Sequence, residues 1–336
     1  MGRLSLKAVQ RQTCKKRDAW WTVLLVDPVA TRLLCVLARF KRVTPNGVTW
    51  SALLLGLAAA GFFVRGDRTP LAIGALLYHV SFILDCVDGK LARLKGNGTV
   101  FGGWLDYVFD RVRVLCCAVA LMGGQYLRTG NAWYLGAALA VVFLDMLRYV
   151  DALQIYKMRM SMRRSIETLA AERQAAAATG QAVTPVVFLE DLLREDPDLD
   201  PDEQRRPSEV PVIDLHARFR GRFPWYARVR RALVEHRIRP HLVSGIEFQM
   251  AVFIVAPLIG QILPVTLVAG LLLAAFELAI MYKFWLSTRD FSRVMEKFDE
   301  HPAAARLTGV PVKGRHRRMR DRSISAPAGS GLEKGI

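Results

Sequence analysis

Long apolar runs separated by short polar turns set the pattern of the chain from about residue 43 to residue 287. Six of these runs approach the roughly 20 residues that a helix needs to cross a hydrocarbon core. They lie at about 46–64, 71–92, 102–126, 131–155, 243–261 and 264–286. The pattern therefore predicts an all-α, polytopic membrane protein with six transmembrane helices.

The stretch before the first run is apolar but too charged to span. Residues 19–42 place Trp20 and Trp21 close to Asp27 and Arg32. Such a mixture is typical of an amphipathic helix that lies in the membrane interface. We therefore expect an N-terminal interfacial helix before the six spans.

This pattern divides the chain into five predicted segments. They are a cytoplasmic tail with the interfacial helix (1–42), transmembrane helices 1–4 (43–156), a partly flexible cytoplasmic insertion (157–241), transmembrane helices 5–6 (242–288) and a basic cytoplasmic tail (289–336). The insertion is the longest departure from a compact six-helix body.

Charge agrees with a membrane location. The 336 residues are 52% hydrophobic, yet the formal net charge is +17. Lys and Arg concentrate in the two tails, the insertion and the 93–100 turn, so the positive-inside rule places all of these on the cytoplasmic side of the cell membrane. Anionic membrane lipids are the expected partners of these basic segments. Nucleic acid is not expected, because the basic residues flank apolar runs instead of forming a separate module.

Four aspartates occupy the second and third apolar runs. Asp85 and Asp88 are spaced i, i+3, and Asp106 and Asp110 are spaced i, i+4, so each pair projects from one face of its helix. The short 95–98 turn would fold the third predicted helix back beside the second, which would bring the carboxylates together. They would repel one another unless a cation lay among them. Hard divalent cations take such oxygen ligands, so we expect two Mg²⁺ or Mn²⁺ ions here.

The motif resembles the signature of the CDP-alcohol phosphotransferase family at each fixed position. It reads Asp85-x2-Asp88-Gly89-x2-Ala92-Arg93-x8-Gly102-x3-Asp106-x3-Asp110. The Thr44-Pro45-Asn46 sequence before the first span is similar to that family as well. The resemblance implies a six-helix homodimeric membrane enzyme whose active site faces the cytoplasm and contacts the cytidine diphosphate group.

Each motif residue has an expected role. Asp85, Asp88 and Asp106 would hold metal, and Asp110 would ligate metal and serve as the catalytic base. Gly89 would let a nucleotide approach the backbone, and Gly102 would do the same or allow close helix contact. The resemblance adds Asp85, Ala92 and Arg93 to the donor-binding residues. It also suggests that Arg111 and Arg148 bind a phosphorylated acceptor, although Arg148 could equally pair with Asp145 or Asp151.

These roles predict a transferase of phospholipid biosynthesis. It would move a substituted phosphate from a CDP-alcohol, such as CDP-diacylglycerol, to an acceptor such as inositol phosphate or another phosphorylated polyol, releasing CMP. One alternative is a polar CDP-alcohol donor with a lipid or specialised acceptor. Another is a transporter or scaffold in which Arg93, Arg111 and Arg113 form structural ion pairs with the aspartates. That alternative leaves the motif glycines and the full spacing unexplained.

Overall fold

The computed structural model describes residues 6–40, 42–176, 186–195 and 212–300. The longer helices are α3 (Pro45–Arg65), α4 (Arg68–Lys95), α5 (Val100–Thr129), α6 (Trp133–Ala176) and α12 (Ile262–Glu300). Shorter elements are α1 (Leu6–Thr13), α2 (Asp27–Leu37), β1 (Val187–Phe188), α7 (Leu189–Glu195), β2 (Val212–Ile213), α8 (Ala217–Arg222), α9 (Trp225–Glu235), α10 (Gly245–Met250) and α11 (Ala256–Ile259).

Local sequence signals fix the ends of the helices around the motif. The Thr44 side chain accepts a hydrogen bond from the Gly47 N–H at 3.1 Å, and Pro45 occupies the first turn of α3. Both features stabilise a helix start. Helix α3 ends at Gly66 (φ 70°), a left-handed position that glycine adopts without steric cost.

Two π-helical turns, Thr22–Val26 and Ala251–Val255, each end two residues before a proline, Pro28 and Pro257. A proline has no N–H to donate, and its ring collides with the carbonyl four residues earlier. Widening the preceding turn relieves that collision without ending the helix. The residues from Gly245 to Ile259 therefore continue as one apolar helical segment.

Helices α3, α4 and α5 pack closely around a shared apolar core. Gly124 of α5 lies against the backbone of α3, where an added Cβ would come within 2.6 Å of the Phe63 oxygen and 2.5 Å of the Val64 oxygen. Small residues permit such close approach between membrane helices. The buried Phe63, Tyr78 and Leu121 fill the space between the three helices. This packing fixes the positions of the two helices that carry the motif.

Among the described residues, three helices are long and apolar enough to cross a membrane: α3, α4 and residues 262–298 of α12. Gly245–Ile259 is a shorter apolar helix. Helices α5 and α6 cover the third and fourth predicted runs, but they carry many ionisable residues and are not among these three. The part of the chain that the structure describes is thus all-α, as in a helical membrane protein, apart from one two-stranded sheet. That the chain crosses the membrane six times stays a prediction.

The contacts divide the chain into two compact units. The first contains residues 6–160 and 218–286 among those described, and it holds the motif. The second contains the described residues between 161 and 217 and between 287 and 300. In this unit β1 pairs with β2 in parallel, and Phe188 and Ile213 pack with Ile166 and Phe298 in a small core.

Several elements extend beyond their predicted limits. Helix α6 continues past residue 156 to Ala176, and α12 continues past residue 288 to Glu300. Neither extension contains Gly or Pro, so nothing in the sequence ends the helix. At 1.5 Å per residue, the 39 residues of α12 span about 58 Å, roughly twice the hydrocarbon thickness. Residues 6–13, expected to be tail, form α1, and its Val9 is buried.

Candidate metal centre and active site

The corner between α4 and α5 brings the motif carboxylates together. Helix α4 ends at Gly96 (φ 64°), and the Thr99 side chain begins α5 by accepting a hydrogen bond from the Gly102 N–H at 2.9 Å. All four predicted aspartates lie within about three helical turns of this corner. They are Asp85 and Asp88 on α4, and Asp106 and Asp110 on α5.

Three of these aspartates form a group that could hold a metal ion. One carboxylate oxygen from each of Asp85, Asp88 and Asp106 lies within 4.8 Å of the others. Thr49 Oγ1 donates to Asp88 Oδ2 at 2.5 Å, which orients this buried carboxylate. Asp106 Oδ1 is buried without a hydrogen-bond partner among the described residues. Converging oxygens with an unsatisfied lone pair fit a hard divalent cation such as Mg²⁺ or Mn²⁺.

Asp110 has different partners from the other three. Its Oδ1 atom pairs with Nη2 of Arg113, and its Oδ2 atom lies 3.8 Å from Nη2 of Arg111. Arg113 is also 3.3 Å from Asp85 Oδ1. The structure therefore places Asp110 beside the three-carboxylate group and in contact with arginine. Its roles as metal ligand and as base stay predictions.

The residues predicted to contact the donor lie on the same side of α4. A Cβ added to Gly89 would meet the Arg93 guanidinium nitrogens at 3.6 and 3.9 Å and nothing else within 4 Å. Arg93 itself donates through Nε to the Thr13 carbonyl oxygen at 2.8 Å, so it joins α4 to the end of α1. The Ala92 carbonyl accepts hydrogen bonds from the turn that follows α4. Donor contact by these residues remains a prediction.

Gly102 lies where α5 approaches the start of α3. A Cβ at this position would come within 2.8 Å of Asn46 Oδ1 and 3.0 Å of Thr99 Oγ1. Of the two predicted reasons for this glycine, close contact between helices is the one with direct support. Asn46 belongs to the Thr44-Pro45-Asn46 sequence that begins α3.

The two predicted acceptor-binding arginines are both paired with carboxylates. Arg111 forms an ion pair with Asp145 and lies 5.4 Å from the centre of the Tyr149 ring. Arg148 Nε lies 2.9 Å from Glu277 Oε1, a partner on α12 that the sequence did not suggest. Because all four charges are largely buried, each pair compensates charge that would otherwise be costly.

A positive region surrounds His241, just before α10. Burial, together with the charges of Arg148, Arg239 and Lys283, lowers the pKa of this imidazole to about 4. At neutral pH His241 is therefore uncharged, while several cations lie around it. Such a region favours anionic groups over cationic ones.

Polar side chains continue from the aspartates to α10. Gln249 Nε2 donates to Asp145 Oδ1 at 2.8 Å, and the Tyr78 hydroxyl donates to Gln249 Oε1 at 3.2 Å. The Tyr78 ring in turn lies 5.8 Å from the Arg113 guanidinium carbon. Together with the ion pairs Arg113–Asp110 and Arg111–Asp145, these contacts form a ring of buried polar groups on α4, α5, α6 and α10.

A second set of ion pairs connects the motif helix to the N-terminal segment. The buried Lys90 Nζ lies 3.0 Å from Asp27 Oδ1, and Arg237 Nη2 lies 3.2 Å from Asp27 Oδ2. Arg237 Nη2 also donates to the Lys15 carbonyl oxygen at 3.0 Å, and its own carbonyl accepts from the Asp18 N–H at 3.0 Å. We call Lys90, Asp27 and Arg237 the clasp. Across the described ranges, Arg237 is the one non-glycine residue with positive φ, at 62°.

The sequence suggested only that Arg113 could form a structural ion pair with the aspartates. Its i, i+3 spacing from Asp110 was visible, but spacing does not reveal that a side chain is buried. Nothing in the sequence indicated the roles of Gln249, Asp27 or Arg237, because their partners lie more than 60 residues away.

Comparison with known proteins supports the chemistry indicated by the motif. Residues 42–192 match the sequence model described as CDP-alcohol phosphatidyltransferase. This range includes all four aspartates but ends before α10–α12. It therefore excludes Gln249 and Glu277, which contact the matched region across the fold.

Two curated relatives match about a third of the chain each. A bifunctional IPC transferase and DIPP synthase of Thermococcus kodakarensis is 33% identical over 109 residues, 32% of this chain and 24% of that protein. An archaetidylinositol phosphate synthase of Methanothermobacter thermautotrophicus is 28% identical over 101 residues, 30% of this chain and 46% of that protein. The chain thus matches less than half the length of either relative.

Among solved structures, the Mycobacterium tuberculosis phosphatidylinositol phosphate synthase PgsA1, in complex with manganese and citrate, is similar over 77% of this chain and 88% of that chain. The sequence identity is 18% and the TM-score is 0.33.

Proposed function

We propose that the chain transfers a substituted phosphate group from a CDP-alcohol to an acceptor alcohol, with release of CMP, as the match of residues 42–192 to the CDP-alcohol phosphatidyltransferase model suggests. The observation that carries this proposal is the grouping of three carboxylate oxygens within 4.8 Å, with Asp110 beside them. A scaffold would not need converging carboxylates, and a transporter would not need the family motif.

We propose that Asp85, Asp88 and Asp106 hold Mg²⁺ or Mn²⁺, that Asp110 is a further metal ligand, and that the loaded enzyme contains two ions. When bound, such cations neutralise charge on the diphosphate and on the departing CMP. Thr49 keeps the Asp88 carboxylate oriented, a role that residues around a metal ligand commonly have. The donor diphosphate would lie over Gly89, close to Arg93, where the absence of a side chain leaves space.

We propose that Asp110 accepts the proton of the acceptor hydroxyl. Its Oδ1 atom is paired with Arg113, whereas Oδ2 is 3.8 Å from Arg111, beyond hydrogen-bond length. Oδ2 is thus the atom that could receive a proton. The hydroxyl oxygen would then attack the phosphorus that bears the lipid-linked oxygen, the phosphorus–oxygen bond to CMP would break, and CMP would leave.

For the substrates, we propose CDP-diacylglycerol as donor and a phosphorylated polyol such as inositol phosphate as acceptor. Two observations support a phosphorylated acceptor. Cations including Arg148 surround the neutral His241, and one relative is named as an archaetidylinositol phosphate synthase. Arg111 and Arg148 would bind the acceptor phosphate through donors left over from Asp145 and Glu277, since a guanidinium has five N–H groups. A polar CDP-alcohol donor with a lipid or specialised acceptor is the alternative.

We propose six membrane crossings, formed by α3, α4, α5, α6, the segment Gly245–Ile259 and α12. The N-terminal residues up to 42 would lie in the interface and the cytoplasm. The insertion 157–241 and both termini would also be cytoplasmic, and these segments would bind anionic lipids of the cell membrane. The active form would be a homodimer. The basic character of these segments supports this orientation.

A direct assay tests the reaction. Purified protein in detergent is incubated with CDP-diacylglycerol, Mn²⁺ and a panel of polyols and polyol phosphates, and CMP and lipid products are quantified by mass spectrometry. We expect CMP release that depends on the acceptor, ceases in EDTA and returns with Mg²⁺ or Mn²⁺. Unchanged turnover in metal-free buffer would contradict the metal mechanism. The absence of CMP with any donor and acceptor of these classes would contradict the proposed reaction.

A further inference from the structure

The N-terminal helix α1 packs against the end of the motif helix α4. Val9 and Thr13, one helical turn apart on α1, are both buried, and Val9 belongs to the main apolar core. The Thr13 carbonyl oxygen, at the end of α1, accepts the hydrogen bond from Arg93 Nε at 2.8 Å. Helix α1 therefore ends directly beside the arginine that is proposed to contact the donor.

This hydrogen bond determines where the Arg93 guanidinium points. Its Nε is bound to Thr13, whereas Nη1 and Nη2 have no hydrogen-bond partner among the described residues. These two nitrogens would lie 3.6 and 3.9 Å from a Cβ added to Gly89, so they lie over the part of α4 that lacks a side chain. Free terminal N–H groups of a guanidinium are suited to bidentate binding of phosphate oxygens. The end of α1 thus directs Arg93 to the place proposed for the donor diphosphate.

The loop that follows α1, residues 14–18, is held by a distant part of the chain. The Lys15 carbonyl accepts a hydrogen bond from Arg237 Nη2 at 3.0 Å. The Asp18 N–H donates to the Arg237 carbonyl at 3.0 Å, and the Asp18 carbonyl accepts from the Arg239 N–H at 2.9 Å. Each of these contacts uses the backbone of the loop. Because Arg237 also belongs to the clasp, the loop is connected to α4 through both of its ends.

The loop carries a lysine close to the candidate metal centre. The positive charge of Lys15 acts on the Asp106 carboxylate of α5, while Arg93 lies on α4. A lysine that served only as the counter-ion of Asp106 would form an ion pair with it, and the described residues include no ion-pair partner for Lys15. Its side chain is exposed. An ammonium on such a long, flexible stem is free to contact an anion that binds beside the carboxylates.

We propose that residues 13–15 complete the donor site. Thr13 orients Arg93 through its carbonyl oxygen, and Lys15 contacts an oxygen of the donor diphosphate. The two side chains thereby share with the metal ions the compensation of the diphosphate charge. This inference rests on the proposed phosphotransfer. It assigns a part in donor binding to a segment outside residues 42–192, the range that matches the family model.

Lys15→Gln tests the phosphate contact by binding, without turnover. The full-length protein in detergent with saturating Mn²⁺ is titrated with CDP, which carries the diphosphate of the donor, and binding is measured by calorimetry. Lys7→Gln is the matched control, because it removes the same charge from an exposed position on α1 that lies six residues, or about 9 Å, before Thr13.

A hydrogen bond to a charged group contributes enough to change affinity by about 10-fold or more. We therefore expect Lys15→Gln to weaken CDP binding by about 10-fold or more, and Lys7→Gln to match the wild type. Equal CDP affinities in the two variants would overturn the contact.

Labelling of lysines gives a second readout at the residue itself. The wild-type protein is reductively methylated to a limited extent in detergent, with CDP and Mn²⁺, with an anionic phospholipid, or with neither, and labelling at Lys15 and Lys7 is quantified by mass spectrometry. We expect CDP with Mn²⁺ to decrease labelling at Lys15 and to leave Lys7 unchanged. Protection of Lys15 by the phospholipid but not by CDP would place it on the lipid-facing surface and overturn the inference.

A double-mutant cycle tests the orientation of Arg93. Val9→Ala removes packing that holds α1, and Arg93→Ala removes the guanidinium that α1 is proposed to orient. We expect Val9→Ala to weaken CDP binding by about 3-fold or more in the wild type and to cause little further loss when Arg93→Ala is present. Additive losses would show that α1 does not act through Arg93. A wild-type protein that binds CDP with Mn²⁺ but releases no CMP from the donor would count against the proposed reaction alone.

Discussion

The clasp offers a large stability effect that can be tested outside the aspartate motif. Asp27 compensates two cations, Lys90 and Arg237, and the side chains of Asp27 and Lys90 are only 8% and 4% exposed. In Asp27→Asn the shape of the side chain is kept, but Lys90 is left as a buried cation without a counter-charge. Removing one partner of a buried ion pair typically costs about 3–5 kcal/mol.

That cost should be visible in thermal unfolding in detergent. For a domain of this size, 1 kcal/mol shifts Tm by about 2–4 °C, so we expect Asp27→Asn to lower Tm by about 6–20 °C. Asp67→Asn is the matched control, because Asp67 pairs with Arg128 and both are well exposed, at 67% and 46%. A surface pair contributes about 1 kcal/mol or less, so the control should lose no more than about 4 °C.

A double variant separates charge from packing. Asp27→Leu/Lys90→Met removes both buried charges and keeps much of the volume, so it should recover a large part of the loss in Asp27→Asn. If Asp27→Asn and Asp67→Asn lower Tm equally, the clasp does not stabilise the motif helix, and the reasoning from burial is wrong for this site.

Three further predictions concern the reaction, its surroundings and the topology. Asp110→Asn should lower the single-turnover rate by about 10² or more with donor affinity little changed, whereas Asp88→Asn should weaken Mn²⁺ and donor binding together; near-native turnover in Asp110→Asn would exclude it as the base. The pKa of His241 is about 4 in the folded protein and about 6.5 when unfolded, so the unfolded state binds more protons between these values and stability should fall as pH falls from 6.5 to 4. His241→Gln should reduce this fall in Tm, and an identical pH profile would show that another group causes it. The exposed Ser161 should be cytoplasmic, so Ser161→Cys in a cysteine-free chain should resist a membrane-impermeant thiol reagent added to intact cells; labelling from outside would reverse the proposed orientation.

The sequence was sufficient for features that depend on local signals and on spacing. The helix corner follows from Gly96 and Thr99, and the i, i+3 and i, i+4 spacings place three aspartates within reach of one cation. Long-range partners could not be predicted in the same way. Arg148 was expected to bind the acceptor or to pair with Asp145 or Asp151 within α6, yet its ion-pair partner is Glu277 on α12, because tertiary packing decides which carboxylate is closest.

The extent of elements was also underestimated for a physical reason. Hydropathy marks where a helix leaves an apolar environment. The helix itself continues until a helix-breaking residue such as Gly or Pro, or a capping residue, ends it. Helices α6 and α12 therefore run beyond their apolar parts to Ala176 and Glu300. The two-residue strands β1 and β2 are too short to produce an alternating pattern, and they were not predicted.

The ring of buried polar groups around Asp110 has a consequence for where a proton can travel. On one side Asp110 is followed by Arg113 and on the other by Arg111, and a guanidinium does not release its protons at physiological pH. Beyond Arg111 the path continues through Asp145 to the amide of Gln249, which is equally unable to relay a proton. Among the contacts of the described residues, a proton accepted by Asp110 therefore finds no conducting route along this ring. The Asp110 side chain is 29% exposed, so the proton can leave directly to solvent. An acceptor hydroxyl that reaches Asp110 would come from that same exposed side, so release of the proton and exchange of the substrate would share one path.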